Sequence, residues 1–554
     1  MKAISIQEVI KTTLFILLLT FPFFCIGLFA QSSIQKHDEL LASEFTPDGP
    51  GATVLIAKGD EILYRKAFGM ANMELGVEMK PEHVFRLGSI TKQFTSVAIL
   101  KLQEEGKLSV KDPLTKFLPD YPTQEKEILI EHLLTHTSGI KSMTDMPSFF
   151  DLVRQDMTPE EVVDFFKNER MEFDPGEGYT YNNSGYFLLG VIIEKITGKS
   201  YAEYIEQEIF QPLGMKDSHY DSYDKIIPKR ADGYMENGEG LANATYLSTT
   251  LPYAAGSLIS NVDDMLTWNK AINDYKVISK ESLKQAFTPY TLKNGNQIGY
   301  AFGWDTGKLQ NSPTVQHGGG IFGFRTQGIY FPEEEVYVIV MSNCGCKSPD
   351  NIAYKLAAAS IGKPFDFKAI EVDPAELTAY EGIYKVEDAE EREVKLKDGA
   401  LYTNRMGRTP RKILPYAPDQ FFYEDDLATL TFEKDTDGMV IAMVAQFIDG
   451  NSRRAERVRD LEKETAEIIQ VDEKTLQEYA GTYEVGPLVV TFSVEDGYLM
   501  GKPQDDSKEK LFPKGEDTFD VRGVGAQIEF HRENGKVIGL TFSQGGRNMK
   551  GKKI

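Results

Sequence analysis

The last third of the chain is written twice. LTAYEGIY at 377–384 returns as LQEYAGTY at 476–483, and Asp398-Gly399-Ala400-Leu401 returns as Asp496-Gly497-Tyr498-Leu499. Leu414-Pro415 followed by Phe421 becomes Phe512-Pro513 followed by Phe519, and LTF ending at Phe432 becomes IEF ending at Phe530. The offset stays at 98–99 residues throughout. A constant offset over that distance means two copies of one structural unit. Short apolar runs alternate with Gly, Asp and Lys in each copy, and helical periodicity fades, which predicts a small antiparallel β unit over 372–458 and another over 472–554. DLEKETAEIIQVDEK (460–474) reads as the linker between them.

The region upstream, 31–362, has a different texture. TVLIAKGDEILYRKAFG is two apolar runs around KGDE and predicts a β-hairpin. Helical stretches follow (SITKQFTSVAILKLQEEG, PEEVVDFFKN, YFLLGVIIEKITG, DMLTWNKAIND), and strand-like GIYFPEEEVYVIVMSN comes late. Strands at both ends with helices between them predict a layered α/β or α+β domain. At the N-terminus, Lys2 and Lys11 precede an uncharged run from Thr12 to Ala30, and polar QSS follows. This reads as a signal peptide over 1–30, cleaved near Ala30/Gln31, or as an uncleaved anchor, since the run nears the ~20 residues a span needs. Either reading places the bulk of the protein outside the cytoplasmic membrane, in a periplasm or secreted. Past that segment only Cys344 and Cys346 remain, two apart in NCGCKS, a spacing expected to be hard to bridge between adjacent strand positions. The charge balance is 61 Lys+Arg against 84 Asp+Glu, or −23, with no basic run. That argues against nucleic acid as a partner.

Chemistry concentrates in LGSITKQF. Ser89 and Lys92 are three apart and share one face if a helix starts here. Ile90, Phe94, Val97 and Ala98 form the helical stripe, and Gly106 offers a C-cap. A partly desolvated Lys one turn from a Ser can become neutral and take the hydroxyl proton. The spacing alone recurs at Ser33, Ser138, Ser222, Ser360 and Ser507, but only the Ser89 instance opens a long apolar helix after a strand-like FRLG. Tyr181 and Asn183 stand two apart on a loop before the YFLLGVIIEKITG helix and can both point into one cleft; Tyr402-Thr403-Asn404 has the same spacing. QHGGGIFGF holds the chain's only H-x-G, and its glycines let a substrate approach a strand edge.

S-x-x-K, Y-x-N and H-x-G in this order resemble the serine hydrolases of the class C β-lactamase, D-alanyl-D-alanine peptidase and D-aminopeptidase group. The resemblance spans about residues 40–360 and includes FRLGSITKQFTSVAILKLQEEGKLSVKDPLTKFLP, HLLTHTSGI, YNNSGYFLLG and HGGG. It implies a β-lactamase/transpeptidase-like α/β (α+β) domain. The two C-terminal units are similar in layout to the small antiparallel barrels of D-aminopeptidases. The resemblance further implies that Ser89 is the acylated nucleophile, Lys92 its activator and Tyr181 the proton shuttle to the leaving group. Asn183 would orient substrate and Lys92, and the N–H groups of Ser89 and Gly320, next to Gly319, would form the oxyanion hole.

His317 stands where β-lactamases carry a Lys in K-T-G. If its side chain meets the substrate, carboxylate-bearing substrates gain affinity as pH falls through the imidazole pKa. If it only props the strand through a hydrogen bond to a neighbouring carbonyl, they do not. Arg325, just past the glycines, either meets a substrate carboxylate or pairs at the surface. His132 and His136 (HLLTH) have a metal-compatible spacing but lack the Glu of H-E-x-x-H, so a structural helix end is expected. No G-x-S-x-G elbow is present, which argues against a lipase-like hydrolase. The expected activity is a metal-free and cofactor-free serine hydrolase acting on small peptides, amides or esters, with D-amino-acid substrates included. The alternatives are a β-lactamase and a penicillin-recognising binder without turnover. Partners are a small-molecule or short-peptide substrate, and a membrane only through an uncleaved N-terminal segment; the oligomeric state is left open.

Overall fold

The computed structural model describes residues 34–554 except 238–239, 347, 387–390, 406–408, 449–451, 462–470, 486–487, 496, 504–507, 516, 522–525 and 545–546. The signal segment 1–30, Ser33, Asp496, Ser507 and most of the expected linker lie outside the described residues. Among the described residues no helix is long and apolar enough to cross a membrane. The chain divides into two compact units between Phe365 and Asp366.

The first unit is built on a six-stranded antiparallel sheet. Its strands are β1 (Ala52–Lys58), β2 (Glu61–Phe68), β3 (Asp305–Leu309), β4 (Ser312–Ile321), β5 (Phe324–Phe331) and β6 (Val336–Ser342), in the order β3-β4-β5-β6-β1-β2. The N-terminal hairpin thus joins the late strands, with Ala52 opposite Ser342. Every residue of β6 is buried, which matches its unbroken apolar run VYVIVMS. Three helices matter for the site: α1 (Thr91–Glu104), α2 (Asn183–Thr197) and α3 (Val262–Asn273). The apolar run at 186–193 is buried all round.

α1 is buried well beyond its predicted stripe. Thr91, Lys92, Gln93, Thr95 and Ser96 are also buried. Their neighbours satisfy them. Thr91 Oγ1 accepts from the Leu258 N–H at 3.1 Å, and Thr95 donates to the Ala254 carbonyl at 2.7 Å. Gln93 Oε1 accepts from Trp268 Nε1 at 3.0 Å, and the Ser96 and Tyr186 hydroxyls share a bond at 3.1 Å. Buried polar groups bonded in this way fix a helix in rotation as well as position. Gly106 (φ +71°) ends the helix in the left-handed conformation.

Cys344 and Cys346 form a disulfide, with Cα atoms 5.1 Å apart. This corrects the expectation from spacing. The pair lies in the turn after β6, not on a strand, and the turn keeps the Cα atoms within ordinary disulfide range.

The second unit holds two closed eight-stranded antiparallel barrels, β7 (Gly382–Lys385) to β14 (Ser452–Arg459) and β15 (Gly481–Val485) to β22 (Arg547–Lys553). The repeat motif itself is a helix-to-strand corner: Pro374–Leu377 with Thr378–Tyr380 leads into β7, and Glu473–Tyr479 leads into β15. Helices this short carry no readable periodicity, so the β texture hid them. The internal bonds repeat with the sequence. Tyr380 and Tyr479 donate to Asp419 and Asp517, each at 2.7 Å. Tyr384 and Tyr483 donate to the carbonyls of Tyr380 and Tyr479, each at 2.8 Å. Each barrel has its own apolar core.

Two outcomes are expected. Residues 366–554 produced alone should give β-type circular dichroism and a cooperative melt; a helical spectrum or no melt would contradict separate cores. Gly319 packs so closely on the turn before α1 that a Cβ would lie 2.0 Å from the Leu87 carbonyl oxygen, whereas at Gly318 it meets the movable end of Gln327 at 2.6 Å. Gly319→Ala should therefore destabilise by about 1–3 kcal/mol and lower activity, with Gly318→Ala milder on both counts in thermal melts and ester assays.

Candidate active site

Ser89 sits in a short 3-10 turn, Gly88–Ile90, that runs directly into α1. The turn is clamped from two sides. Phe85–Arg86 pairs antiparallel with Leu258–Ser260, and the Leu87 N–H donates to the Leu258 carbonyl at 2.9 Å. Thr326 of β5 donates to the Leu87 carbonyl at 2.9 Å. Gly88 adopts φ +55°, and a Cβ there would stand 3.0 Å from the Gly320 nitrogen. Glycine is needed on both grounds, and the close approach sets the backbone of Ser89 beside that of Gly320.

Lys92 is fully buried one turn along α1. Its Nζ lies 3.1 Å from Ser89 Oγ, 2.8 Å from Asn183 Oδ1 and 2.9 Å from the Ala255 carbonyl oxygen. Burial holds the ammonium well below the usual lysine range. A neutral amine has two N–H donors and one lone pair. Asn183 Oδ1 and the Ala255 oxygen only accept, so they take the two N–H groups. The lone pair is left for the Ser89 hydroxyl, which is the arrangement a general base requires. Asn183 is held as the first residue of α2, its amide nitrogen donating to Thr144 Oγ1 at 3.0 Å. Asn182, not Asn183, caps the helix, accepting from the Gly185 N–H at 2.8 Å. The expected loop for Asn183 is thus a helix N-terminus.

The Tyr181 ring lies 4.8 Å from Lys92 Nζ. Its hydroxyl is buried and closes no hydrogen bond of standard geometry. Burial raises it well above the ordinary phenol range, with the neighbouring Ser89 hydroxyl opposing that shift, so Tyr181 is a neutral phenol with a proton to give.

His317 is placed with its side chain in the protein interior. Only 3% of the residue is exposed. Nδ1 lies 2.5 Å from the Gly318 carbonyl oxygen, which can only accept, so Nδ1 carries the proton. Nε2 is then free to accept from the Tyr300 hydroxyl at 2.9 Å. Burial, with Lys92 nearby, lowers the imidazole to about 3. This is the strand-propping alternative; the carboxylate-sensing alternative is corrected, because the ring is neutral and both nitrogens are occupied. Arg325 is exposed on β5 opposite Gly320, and its guanidinium lies where a Gly320 Cβ would point. His132 accepts from the Leu129 N–H at 3.1 Å and helps close the short helix Ile130–Leu134.

Sequence reasoning read His136 only as part of a structural helix end, and it missed two further contributors. His136 is buried with its ring centroid 4.2 Å from that of Tyr181 and 4.5 Å from that of Tyr300, and its Nδ1 accepts from the Asn182 N–H at 3.0 Å. Its only signal was its place in HLLTHTSGI. Tyr300 and the Ala255 carbonyl carried no motif at all.

In front of Ser89 lies a cleft of about 130 Å³. Its walls are largely apolar, with Phe149, Leu247, Leu251, Ile321 and Phe322 prominent, and Ser89, Thr144 and Asn183 supply its polar side chains. β4 runs past the end of β3, whose last pairing is Asp305 with Gln316, so the outer edge of β4 from His317 to Ile321 faces this region unpaired by β3.

Residues 38–362 match the family model described as Beta-lactamase. Penicillin-binding protein 4* of Bacillus subtilis is 33% identical over 405 residues, 67% of this chain and 87% of that protein. D-aminopeptidase of Gluconobacter oxydans is 27% identical over 340 residues, 61% of this chain and 63% of its own. The octameric penicillin-binding protein homologue of Pyrococcus abyssi superposes with a TM-score of 0.55 at 29% identity, over 78% of this chain and all of that one. The match over 38–362 and the 33% identical relative show that the chain belongs to the β-lactamase family of serine hydrolases.

Proposed function

We propose that the protein is an exported serine hydrolase that forms an acyl-enzyme on Ser89 and cleaves small amide, peptide or ester substrates, D-amino-acid derivatives among them. The observation that carries the reading is the buried Lys92 Nζ, 3.1 Å from Ser89 Oγ, with its two other contacts made to the acceptors Asn183 Oδ1 and the Ala255 carbonyl oxygen. Export rests on the uncharged run at 12–30. The D-amino-acid class rests on the relative named D-aminopeptidase.

In the first half-reaction Ser89 Oγ attacks the substrate carbonyl and its proton passes to Lys92 Nζ. The oxyanion is held by the N–H groups of Ser89 and Gly320, each such donor being worth roughly 3–4 kcal/mol in the transition state. Tyr181 gives its proton to the departing nitrogen or oxygen and recovers one from Lys92. In the second half a water molecule attacks the ester, gives up its proton along the same path, and Ser89 leaves. The apolar cleft takes the acyl group, so acyl groups with a compact apolar side chain are favoured.

A fluorophosphonate probe should label the single peptide that contains LGSITK, and Ser89→Ala should abolish both labelling and turnover of a chromogenic ester. Label on another serine would refute the assignment, and one stoichiometric acylation without turnover would replace it with the binder reading. Lys92→Arg and Tyr181→Phe should each lower kcat by about 10²–10⁴-fold. Arg keeps a cation where a lone pair is needed. In the wild type only neutral Lys92 is active. Burial lowers the lysine value, so the neutral form is reached at lower pH than for an ordinary lysine, and activity is lost as pH falls through that lowered value. A profile whose activity appears only near the ordinary lysine pKa would contradict a buried neutral base.

A further inference from the structure

A second cavity, of about 300 Å³, adjoins the acyl cleft and has no part in the acyl-transfer steps. Phe322, in the turn between β4 and β5, lines both, and the chain passes from Leu247 in the wall of the cleft to Tyr246 in the wall of the cavity. Arg86 and Arg230 line the cavity as well. Arg86 stands three residues before Ser89 and pairs in register with Ile259, which also lines the cavity, so this face of the short ladder is the one turned towards it. The rings of Tyr223 and Tyr246 lie with centroids 4.9 Å apart, and both guanidiniums lie 5.7 Å from the Tyr223 ring. The two rings are 53% and 38% exposed, so the cavity has an open side.

The two arginines converge on one carboxylate. Asp221 is buried, with Oδ2 accepting from Arg86 Nε at 2.8 Å and Oδ1 lying 2.8 Å from Arg230 Nη2. Arg86 Nη2 also donates to the Tyr223 hydroxyl, and Arg230 Nη2 to the Ser222 carbonyl, each at 2.7 Å. Two cations on one anion leave one positive charge in this cluster. A guanidinium has five N–H donors. Among the described residues no acceptor is found for Nη1 of either arginine, nor for the buried Nε of Arg230. Asp232, the other acid of the wall, is held by Asn72 and not by an arginine. A guanidinium pair fixed by a buried acid and a ring, with donors to spare, suits a carboxylate.

We propose that this cavity is a second subsite on the acyl side, and that it takes a carboxylate which the acyl half of the substrate carries several bonds away from the scissile carbonyl. The inference rests on the acyl-enzyme reading above and narrows its substrate class. The apolar cleft receives the carbon chain next to the carbonyl, the chain passes Phe322, and Arg86 and Arg230 hold the distal anion. Acyl groups of the diacid or acidic amino-acid type are then preferred to neutral acyl groups of the same length.

Thioesters that share one leaving thiol and differ in the acyl group test this. Adipyl, suberyl and sebacyl chains carry a distal carboxylate, matched chains end in the primary amide, and a third set ends in trimethylammonium. Released thiol reports acylation even if deacylation is slow. At the best chain length the wild type should favour the acid over the amide by roughly ten- to hundredfold in kcat/KM, mostly through KM, with the cation last. Arg230→Gln, which leaves Arg86 on Asp221, should bring the acid-to-amide ratio towards one, and Arg325→Gln should leave it standing. Equal rates for acid and amide at every chain length, a preference for the cation, a ratio that Arg230→Gln leaves unchanged, or one that Arg325→Gln abolishes would each overturn the proposal. If Arg230→Gln does not fold, the wild-type ratio and its persistence in Arg325→Gln decide. Ser89→Ala separates the two readings: thiol release that survives it refutes the acyl-enzyme, whereas release that is lost with Ser89 but blind to the distal group refutes only the subsite.

Discussion

Lys92 loses its hydration because α1 is buried on every side from Thr91 to Leu100, and no carboxylate enters to replace the lost water. Two aromatic faces, at 4.8 and 5.4 Å from Nζ, favour a cation, but they cannot match bulk hydration of an ammonium. The balance falls to the neutral amine, and the rest of the site inherits that state. His136 and His317 are both pushed down partly by Lys92, so a proton on any one of the three is resisted by the others. All three groups are lowered in this way, which favours their neutral forms and a lysine lone pair turned to the Ser89 hydroxyl. A charged partner close to Lys92 would hold the proton and spoil the base.

That constraint explains the distribution of charge. The acyl cleft presents no ionised side chain, and the neutral imidazole of His317 replaces the fixed cation that a Lys would supply.

The fold, and the place of the candidate nucleophile in it, were largely legible. The hairpin at Ala52–Phe68, the helix after Ser89 and the duplicated β units all follow from patterns of period 2, period 3.6 and period 98–99. Ser89 could be chosen over five other S-x-x-K sites because it alone joined a strand to a long apolar helix. What stayed hidden was anything set by tertiary contact. Side-chain pKa illustrates this: H-G-G-G shows a histidine, but only the Tyr300 hydroxyl and the Gly318 carbonyl decide that it is neutral and turned inward. Cys344 and Cys346 were misjudged because the end of β6 is a one-residue matter, and a turn changes what a two-residue spacing can bridge. The Ala255 carbonyl has no side-chain signature, since a backbone oxygen is available at every position.

The treatment of strand edges connects the two halves of the chain. In each barrel the ladder closes on itself, with Tyr384 opposite Arg457 and Tyr483 opposite Lys553, so the barrel backbone offers no edge to an extended ligand. The six-stranded sheet cannot close and keeps two edges. β2 is guarded by charge: Arg65 is paired with Asp263 and Glu82, and Lys66 with Asp38. On the other side β3 covers β4 only as far as Gln316. Beyond it come three glycines with no side chain to guard them. The stretch of β4 beside Ser89 is thus left unpaired by β3 and open to an extended ligand. The glycines that bring β4 up to the Ser89 turn are the same ones that leave its edge approachable, so in the proposed reaction nucleophile placement and substrate alignment share one structural cause.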